Sequence, residues 1–247
     1  LRDGRVVGEG EGSGVSHLGS EQGPERFERA LQSSLKAARD QGGNALAPLA
    51  AAAIGASGIE QNSPTQILGT DLARQALGLD AVLVTGDERT ALAGAFASGQ
   101  AGISLISGTG AIALGQNEQG QQHRCAGWGW LVDGVGSAMD IGRDGLAISL
   151  RMADGRLPET ALKAALWQTL GVQQAHELKA RVVDPSFGAA GFARLAPVVH
   201  EQALAGEAHA QSVLQHAGDE LAAMVIGVAQ ALALEAPALC CSGGAIS

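Results

Sequence analysis

The amino-acid sequence predicts an α/β fold, because short apolar strands alternate with helical segments along the chain. The chain has 247 residues, 46% of them hydrophobic, which is enough for one large or two modest cores. A hairpin near Gly102 interrupts the alternation and begins a second unit of similar plan. We therefore predict an N-terminal domain over 1–100 and a C-terminal domain over 101–247.

The N-terminal domain is predicted to open with a hairpin and to continue with strand–helix pairs. An Asp-Gly turn signal at Arg2-Asp3-Gly4 precedes a strand over 5–8, whose partner strand is expected before Leu1. Pro24 at the start and Gly42-Gly43 at the end are typical of a helix. The other predicted elements are buried strands over 50–56 and 81–85 and helices over 24–40, 64–77 and 88–98.

The C-terminal domain is predicted to contain more helix than the first. Its hairpin covers Ile103–Gly115, and a loop-rich region over 120–136 follows. A long helix with apolar residues at helical spacing leads into a final short strand. The predicted elements after the loop are helices over 137–152, 158–170, 187–204 and 207–234 and a strand over 237–241.

Composition and charge exclude several classes of protein. Lys and Arg number 16 against 25 Asp and Glu, a net charge of −9, which disfavours a nucleic-acid or anionic-membrane partner. No apolar run approaches the roughly 20 residues of a membrane span, and no signal peptide opens the chain. Three cysteines do not make a disulfide framework, so we expect Cys240 and Cys241 to be buried thiols. These features predict a cytoplasmic protein.

The tip of the predicted hairpin is the first candidate for a binding site. Within the sequence ISLISGTGAIALG, two apolar strands flank Gly108-Thr109-Gly110. Glycines let successive backbone N–H groups point into one concavity, which suits a phosphate. An ordinary tight hairpin is the alternative interpretation of the same residues.

Aromatic and acidic residues supply further candidates. Trp128 and Trp130 alternate with Gly127 and Gly129 and offer flat surface to a ligand, with burial in the core as the alternative. Asp87 follows a predicted strand at the sheet edge where ligands bind in α/β folds, and it could accept a proton from a substrate hydroxyl. A helix N-cap explains Asp87 equally well.

Three acidic residues and a glycine pair remain as weaker candidates. Asp133, Asp140 and Asp144 could act as acids, although the last two share an i,i+4 helix face that solvent would equally explain. Gly243-Gly244 follows the last strand, where a simple helix entry is the alternative. A phosphate cradle beside an aromatic platform indicates a nucleotide enzyme with a small polar substrate.

The order of these features resembles one family. A strand-end Asp, ISGTG, GWGW, a DIGR helix and a final strand ending in Gly-Gly are similar to the N-acetylglucosamine and glucosamine kinases. These kinases are grouped with activators of benzoyl-CoA reductase and 2-hydroxyacyl-CoA dehydratase in the BadF/BadG/BcrA/BcrD ATPase family. The resemblance implies a two-domain actin-like (ribonuclease H-like) fold with an interdomain cleft for ATP and sugar.

The resemblance also implies roles for individual residues and a set of ligands. Asp87 would be the base, and Ser107, Gly108, Thr109 and Gly110 would form the second phosphate loop. Gly127, Trp128 and Asp133 would contact the sugar, and Gly243 and Gly244 the adenosine. ATP, Mg²⁺ and a small sugar are the implied ligands, with a homodimer as a further expectation. A first phosphate loop is expected before Leu1 and a closing helix after Ser247.

Two departures from the family pattern keep other functions open. Ala111 stands where the family usually has Ser, and Asp133–Ser137 has the sequence DGVGS where the family usually has GDEGS. A non-catalytic sugar or nucleotide sensor on the same fold is one alternative. The other is a dehydratase activator, which would need cysteines at iron–sulfur cluster spacing that Cys125, Cys240 and Cys241 do not provide.

Overall fold

The computed structural model describes residues 5–14, 18–42 and 48–246, and the chain divides into two compact units, Leu1–Gly94 and Ala95–Ser247. The first unit contains a two-stranded parallel sheet and the helices around it. Its elements are α1 (Gly23–Gly42), β1 (Ala52–Gly55), α2 (Pro64–Leu77), β2 (Val82–Thr85) and α3 (Asp87–Ala95).

Local signals set the ends of α2, as the sequence predicts. The Ser63 side chain accepts the backbone N–H of Gln66 at 3.1 Å, and Pro64 occupies the first turn. Gly78 ends the helix in the left-handed conformation, with φ at 61°. The predicted helix over 64–77 is confirmed.

The two strands of the first unit are half-exposed, so the prediction that they are fully buried is wrong. Val84 lies in a core with Leu18, Phe27 and Ala73, whereas Leu83 on the opposite face is 58% exposed. Successive side chains of a strand point to opposite faces, and the described chain covers only one face of this sheet. The predicted strand over 5–8 is also wrong, because only Arg5 forms a bridge, and its predicted turn lies outside the described residues.

The second unit is built on a four-stranded sheet in the order β5-β4-β3-β6. The first two strands form the predicted hairpin, β4 pairs antiparallel with β5, and β6 runs parallel to β3. The region predicted to be only loop therefore contains β5, an edge strand with polar residues. The strands are β3 (Gly102–Ser107), β4 (Ala111–Gln116), β5 (Gln122–Ala126) and β6 (Leu239–Ser242).

The last strand corrects the expectation for two cysteines. Cys240 and Cys241 are both exposed, as are all four residues of β6. This strand pairs with β3 on one side only, so it forms an edge of the described sheet. Neither thiol is the buried small hydrophobe that the apolar run predicts.

The described residues of the second unit form six helices, of which the longest covers the sheet, while all six belong to a separate helical part with its own core. The longest packs its Met224 and Val228 against Ile103 and Leu105 of β3. Gly115 of β4 leaves room for this contact, because a Cβ there would lie 2.5 Å from the Val228 side chain. The helices are α4 (Ala138–Ala153), α5 (Ala161–Leu170), α6 (Ala175–Val183), α7 (Gly188–Ala193), α8 (Ala196–Leu204) and α9 (Ala208–Ala231).

The predicted helices match the observed helices better in position than in number. The helix predicted over 187–204 is two helices, separated at Arg194-Leu195. Pro197 in the first turn of α8 cannot donate a hydrogen bond, and its ring would clash with the preceding turn of a continuous helix. Helix α6 falls between predicted segments. Among the helices of the described ranges, none is long and apolar enough to cross a membrane.

Candidate functional site

The tip of the β3–β4 hairpin presents two unused backbone donors. The Gly108 N–H donates to the Gly110 carbonyl oxygen at 2.9 Å and closes the tip. The N–H groups of Thr109 and Gly110 make no hydrogen bond to any described part of the chain. Both residues are exposed. Two adjacent N–H groups at a loop tip can together bind an anion.

The glycines of this tip are not explained by the packing of the described chain. Neither Gly108 nor Gly110 has a left-handed φ, and a Cβ added to either would meet no described atom within 4 Å. Glycine is favoured where the backbone needs a left-handed φ or where another group approaches closely. Because the first reason is absent, close approach of a ligand is the explanation that remains.

Hydrogen bonds join the base of the hairpin to the turn that precedes α4. The Ser107 hydroxyl donates to the Gly136 carbonyl oxygen at 2.8 Å in a buried hydrogen bond. The Ala138 N–H donates to the Gly108 carbonyl oxygen, also at 2.8 Å. The strand end and the start of the tip are therefore both bonded to the first turn of α4.

The structure also brings the predicted Gly243-Gly244 turn to the hairpin. The Ala245 N–H donates to the Ser107 carbonyl oxygen at 3.0 Å. Gly243 has φ at 103°, and a Cβ there would lie 2.3 Å from that same oxygen. Gly244 is exposed with open space around it. Gly243 is thus required by contact with Ser107, whereas Gly244 resembles the glycines of the tip.

Asp87 lies at the predicted position and is separated from the end of β2 by Gly86 alone. Helix α3 begins at Asp87 itself, and the backbone oxygen of Asp87 accepts the Thr90 hydroxyl at 2.9 Å. Its carboxylate makes no hydrogen bond or ion pair within the described ranges. The structure therefore gives Asp87 no capping role, and the alternative of a helix N-cap is wrong.

The GWGW loop displays its aromatic side chains at the surface. Trp128 is 66% exposed, and the Arg124 guanidinium lies 3.9 Å from its ring centroid. The Trp128 N–H donates to the Asp133 carboxylate at 3.3 Å. Trp130 is 38% exposed, so the alternative that these tryptophans belong to the core is wrong for both.

Gly127 is required by the conformation of this loop. Its φ is 79°, and a Cβ would lie 2.6 Å from the Ile112 side chain of β4. The structure therefore brings together the three predicted sugar-side residues, Gly127, Trp128 and Asp133, in one loop of the second unit.

For the candidate acid Asp140, the alternative interpretation of a solvated helix face is wrong. Asp140 is 2% exposed and lies in the first turn of α4, rather than on a solvated face. Burial raises the pKa of its carboxyl above the ordinary range, and a hydrogen bond from the Gly136 N–H opposes that rise. The pattern Ser137-x-x-Asp140 is similar to a capping box and was the available signal of this helix start.

Metal ligands do not assemble from the described chain alone. Across 5–14, 18–42 and 48–246, no group of three or more His, Cys, Asp or Glu side chains could hold a metal ion. Asp144, the other predicted acid of α4, pairs with Arg143 at 3.1 Å near the surface.

The fold, with a glycine-tipped hairpin on a mixed sheet and a covering long helix, is that of the actin-like ATPases, which include sugar kinases. The chain belongs to the BadF/BadG/BcrA/BcrD ATPase family, whose model matches residues 2–247. The family predicted from the sequence is confirmed, and the use of ATP follows from membership.

Two curated relatives are amino-sugar kinases by name. An N-acetylmuramic acid/N-acetylglucosamine kinase of Clostridium acetobutylicum is 28% identical over 211 residues, which are 85% of this chain and 68% of that protein. An N-acetyl-D-glucosamine kinase of Dictyostelium discoideum is 33% identical over 135 residues. That match covers 54% of this chain and 42% of the Dictyostelium protein.

Solved structures confirm the predicted fold. A candidate N-acetylglucosamine kinase from Chromobacterium violaceum superposes with a TM-score of 0.82 at 26% identity, over 99% of this chain and 81% of that chain. A structure from Porphyromonas gingivalis gives a TM-score of 0.75 at 19% identity, over 99% of this chain and 81% of that one. The α/β actin-like architecture is therefore established over nearly the whole chain.

Proposed function

We propose that the protein is an ATP-dependent kinase that phosphorylates an amino sugar, N-acetylglucosamine or glucosamine. The observation that carries the proposal is the hairpin tip, where two unused N–H groups lie among glycines that the described packing does not require. Phosphoryl transfer depends on donors that position the phosphates. The names of the relatives supply the class of acceptor.

The nucleotide would be held by the hairpin and by the turn bonded to it. Gly108, Thr109 and Gly110 would surround the phosphates, with Thr109 and Gly110 donating their N–H groups. The buried Ser107 would hold the strand end beneath them through its hydrogen bond to Gly136. Gly243 lies against Ser107 and Gly244 beside it has open space. That arrangement supports the adenosine-side role of this turn. Mg²⁺ would accompany the nucleotide and neutralise charge on its phosphates.

Asp87 would be the base in an in-line transfer. A sugar hydroxyl is a weak nucleophile, and a carboxylate within hydrogen-bond reach can orient it and accept its proton. The Asp87 carboxylate has no partner among the described residues, so no internal bond competes with a substrate hydroxyl. Asp87 follows the carboxyl end of β2, and α/β proteins bind ligands at the sheet edge formed by the carboxyl ends of the strands.

The GWGW loop would contact the sugar. The Arg124 guanidinium lies over one face of the exposed Trp128 ring, and the Asp133 carboxylate accepts the Trp128 backbone N–H. A ring held in this way offers a flat apolar surface to the C–H groups of a sugar. Gly127 lets the backbone approach closely beside it.

Sugar-stimulated release of ADP tests the proposal. The natural protein with ATP and Mg²⁺ should turn over with N-acetylglucosamine or glucosamine and not with hexoses that lack the amino group. Asp87→Asn should lower turnover about 10²–10⁴-fold, the usual effect of a general base. Asp80→Asn, a change of an exposed carboxylate before β2, is the matched control and should leave turnover unchanged.

A sensor without catalysis is the second candidate, favoured by the sequence DGVGS over Asp133–Ser137. This loop uses its one acid to hold the Trp128 N–H. Saturable binding of sugar and nucleotide without turnover would support the sensor and contradict the kinase. Near-normal turnover in Asp87→Asn would instead keep the kinase and remove Asp87 as its base.

A further inference from the structure

Among the described residues of the second unit, Asp140 is the most deeply buried carboxylate that the proposed reaction does not use. Its side chain is 2% exposed, and both oxygens have partners. One oxygen accepts the Gly136 N–H at 3.0 Å, and the other accepts the guanidinium of Arg143. The carboxylate therefore ties the loop before α4 to the first turns of that helix.

The loop that Asp140 holds is the one that supports the hairpin tip. The Gly136 carbonyl oxygen accepts the Ser107 hydroxyl, and two residues later the Ala138 N–H donates to the Gly108 carbonyl oxygen, each at 2.8 Å. The connection from Asp140 to the tip thus runs through one residue, Gly136, and two hydrogen bonds.

The position of Gly136 leaves its backbone little freedom. Its φ is 73°, and a Cβ there would lie 2.9 Å from the Leu221 side chain and 3.2 Å from the Ala217 carbonyl oxygen of α9. Only glycine suits this conformation, and glycine by itself would allow others. The hydrogen bond from the Gly136 N–H to Asp140 selects the backbone conformation in which the Gly136 carbonyl oxygen faces Ser107.

A capping box would direct this acid to the backbone N–H of Ser137, the N-cap residue, whereas the Asp140 carboxylate accepts the N–H of Gly136. Ser137 already caps α4, since its hydroxyl oxygen accepts the Asp140 N–H at 3.2 Å. A carboxylate at 2% exposure pays a desolvation cost, and burial raises its pKa. A costly group at a position that is already capped points to a second task.

We propose that Asp140 is a positioning residue for nucleotide binding. It holds Gly136, which holds Ser107, and so keeps the Thr109 and Gly110 N–H groups turned toward the phosphates. This inference rests on the proposed function only in taking a nucleotide as the ligand of the tip.

Three variants of the natural protein test the inference. Asp140→Ala removes the acceptor of the Gly136 N–H, Asp140→Asn keeps an amide oxygen there, and Asp144→Asn alters the other acid that contacts Arg143. For each, calorimetry measures the Kd of a non-hydrolysable ATP analogue, kinetics measure the KM for ATP and for sugar, and thermal unfolding is followed without nucleotide.

The expected pattern is selective for the nucleotide. Asp140→Ala should raise the Kd and the KM for ATP about tenfold, the usual scale for one lost buried hydrogen bond, with the KM for sugar unchanged. Asp140→Asn should restore most of the affinity, and Asp144→Asn should bind like the natural protein. If Asp140→Ala does not fold, Ser107→Ala removes the next bond of the same connection and should weaken binding similarly.

Each of the other possible results contradicts the inference about Asp140, the proposed kinase function, or both. Unchanged affinity in Asp140→Ala or Ser107→Ala would overturn the inference and leave Asp140 a structural residue. Equal losses in Asp140→Ala and Asp140→Asn would overturn it by showing that charge, rather than the bond to Gly136, matters. The expected affinities without any sugar turnover would overturn the proposed kinase alone, and a natural protein that binds no nucleotide would overturn both.

Discussion

The glycines at the tip of the β3–β4 hairpin and the glycines beneath it are present for different reasons. Beneath the tip, Gly136 and Gly243 have left-handed φ values, and a Cβ on either would lie within 3 Å of a neighbouring atom. At the tip, Gly108 and Gly110 have neither restriction. The lower pair is explained by the fold, whereas the upper pair points to something outside the described chain.

The same contrast separates two carboxylates. Asp140 has a partner for each oxygen and is buried, whereas Asp87 is only half-buried and has none within the described residues. A side chain whose polar atoms all have partners within the protein supports the structure. A side chain that is fixed in position but has no such partners is available to a ligand.

Of the two glycines beneath the tip, Gly243 is packed more tightly than Gly136 and should be the harder to replace. Gly243→Ala places a Cβ 2.3 Å from the Ser107 carbonyl oxygen on a backbone with φ at 103°. Strain and overpacking together should lower the free energy of unfolding by roughly 2–5 kcal/mol. Urea unfolding measures the loss, and a variant as stable as the natural protein would show that the turn can rearrange.

A tip glycine should show the opposite behaviour. Gly110→Ala adds its methyl group to open space, so the free energy of unfolding should change by about 0.5 kcal/mol or less. Affinity for an ATP analogue should nevertheless fall about tenfold or more, because the methyl group blocks close approach of a phosphate.

Gly218→Ala is the matched control for this change, since Gly218 lies in α9 with open space around it. It should bind nucleotide normally and gain about 0.5–1 kcal/mol of stability from its helical position. Normal nucleotide affinity in Gly110→Ala would mean that its glycine has no ligand to accommodate.

The GWGW loop extends the contrast to the sugar. At position 127 only glycine fits, because a Cβ would clash with the Ile112 side chain. The Trp128 ring, by contrast, is 66% exposed and contacts Arg124 on one face. Trp128→Ala should raise the KM for the sugar about three- to tenfold, as expected for one lost aromatic contact, with little loss of stability. Leu131→Ala, at 78% exposure in the same loop, is the control, and equal effects in both would indicate a general disturbance of the loop.

The smallest expected effect is on the pH dependence of the protein's stability. Because burial raises the pKa of Asp140, the folded protein holds that proton more tightly than the unfolded chain does. Stability therefore falls as pH rises from the ordinary Asp pKa, about 3.9, through the raised value. Asp140→Asn should unfold at a higher temperature than the natural protein at pH 7, and the difference should vanish below that ordinary pKa.

Asp154 provides a control of opposite sign. A hydrogen bond from Arg156 lowers the pKa of the Asp154 carboxyl, so its stabilising contribution is present above the ordinary Asp pKa and is lost as pH falls through the lowered value. Asp154→Asn should slightly destabilise the protein at pH 7. The same direction of change in both variants would contradict the assignment for Asp140.

Local chemistry determined those parts of the protein that the sequence predicted well. Ser63, Pro64 and Gly78 set the ends of α2 through bonds and torsions confined to a few neighbouring residues. The hairpin around Gly108 follows from two apolar runs and a glycine turn. The ordered motifs from Asp87 to Gly244 were sufficient for the family, because Asp87, the hairpin tip and Gly243-Gly244 lie at the ends of elements that pattern alone predicts.

Tertiary structure decided which faces are covered and which polar groups have partners. Leu83, Cys240 and Cys241 are exposed although their apolar runs predict burial, because burial depends on what packs against a strand. The burial of Asp140 beneath the hairpin likewise depends on contacts between distant segments, such as the hydrogen bond from Ser107 to Gly136. A sequence pattern determines the periodicity of a segment, whereas exposure and hydrogen bonding depend on the neighbours that only the folded chain supplies.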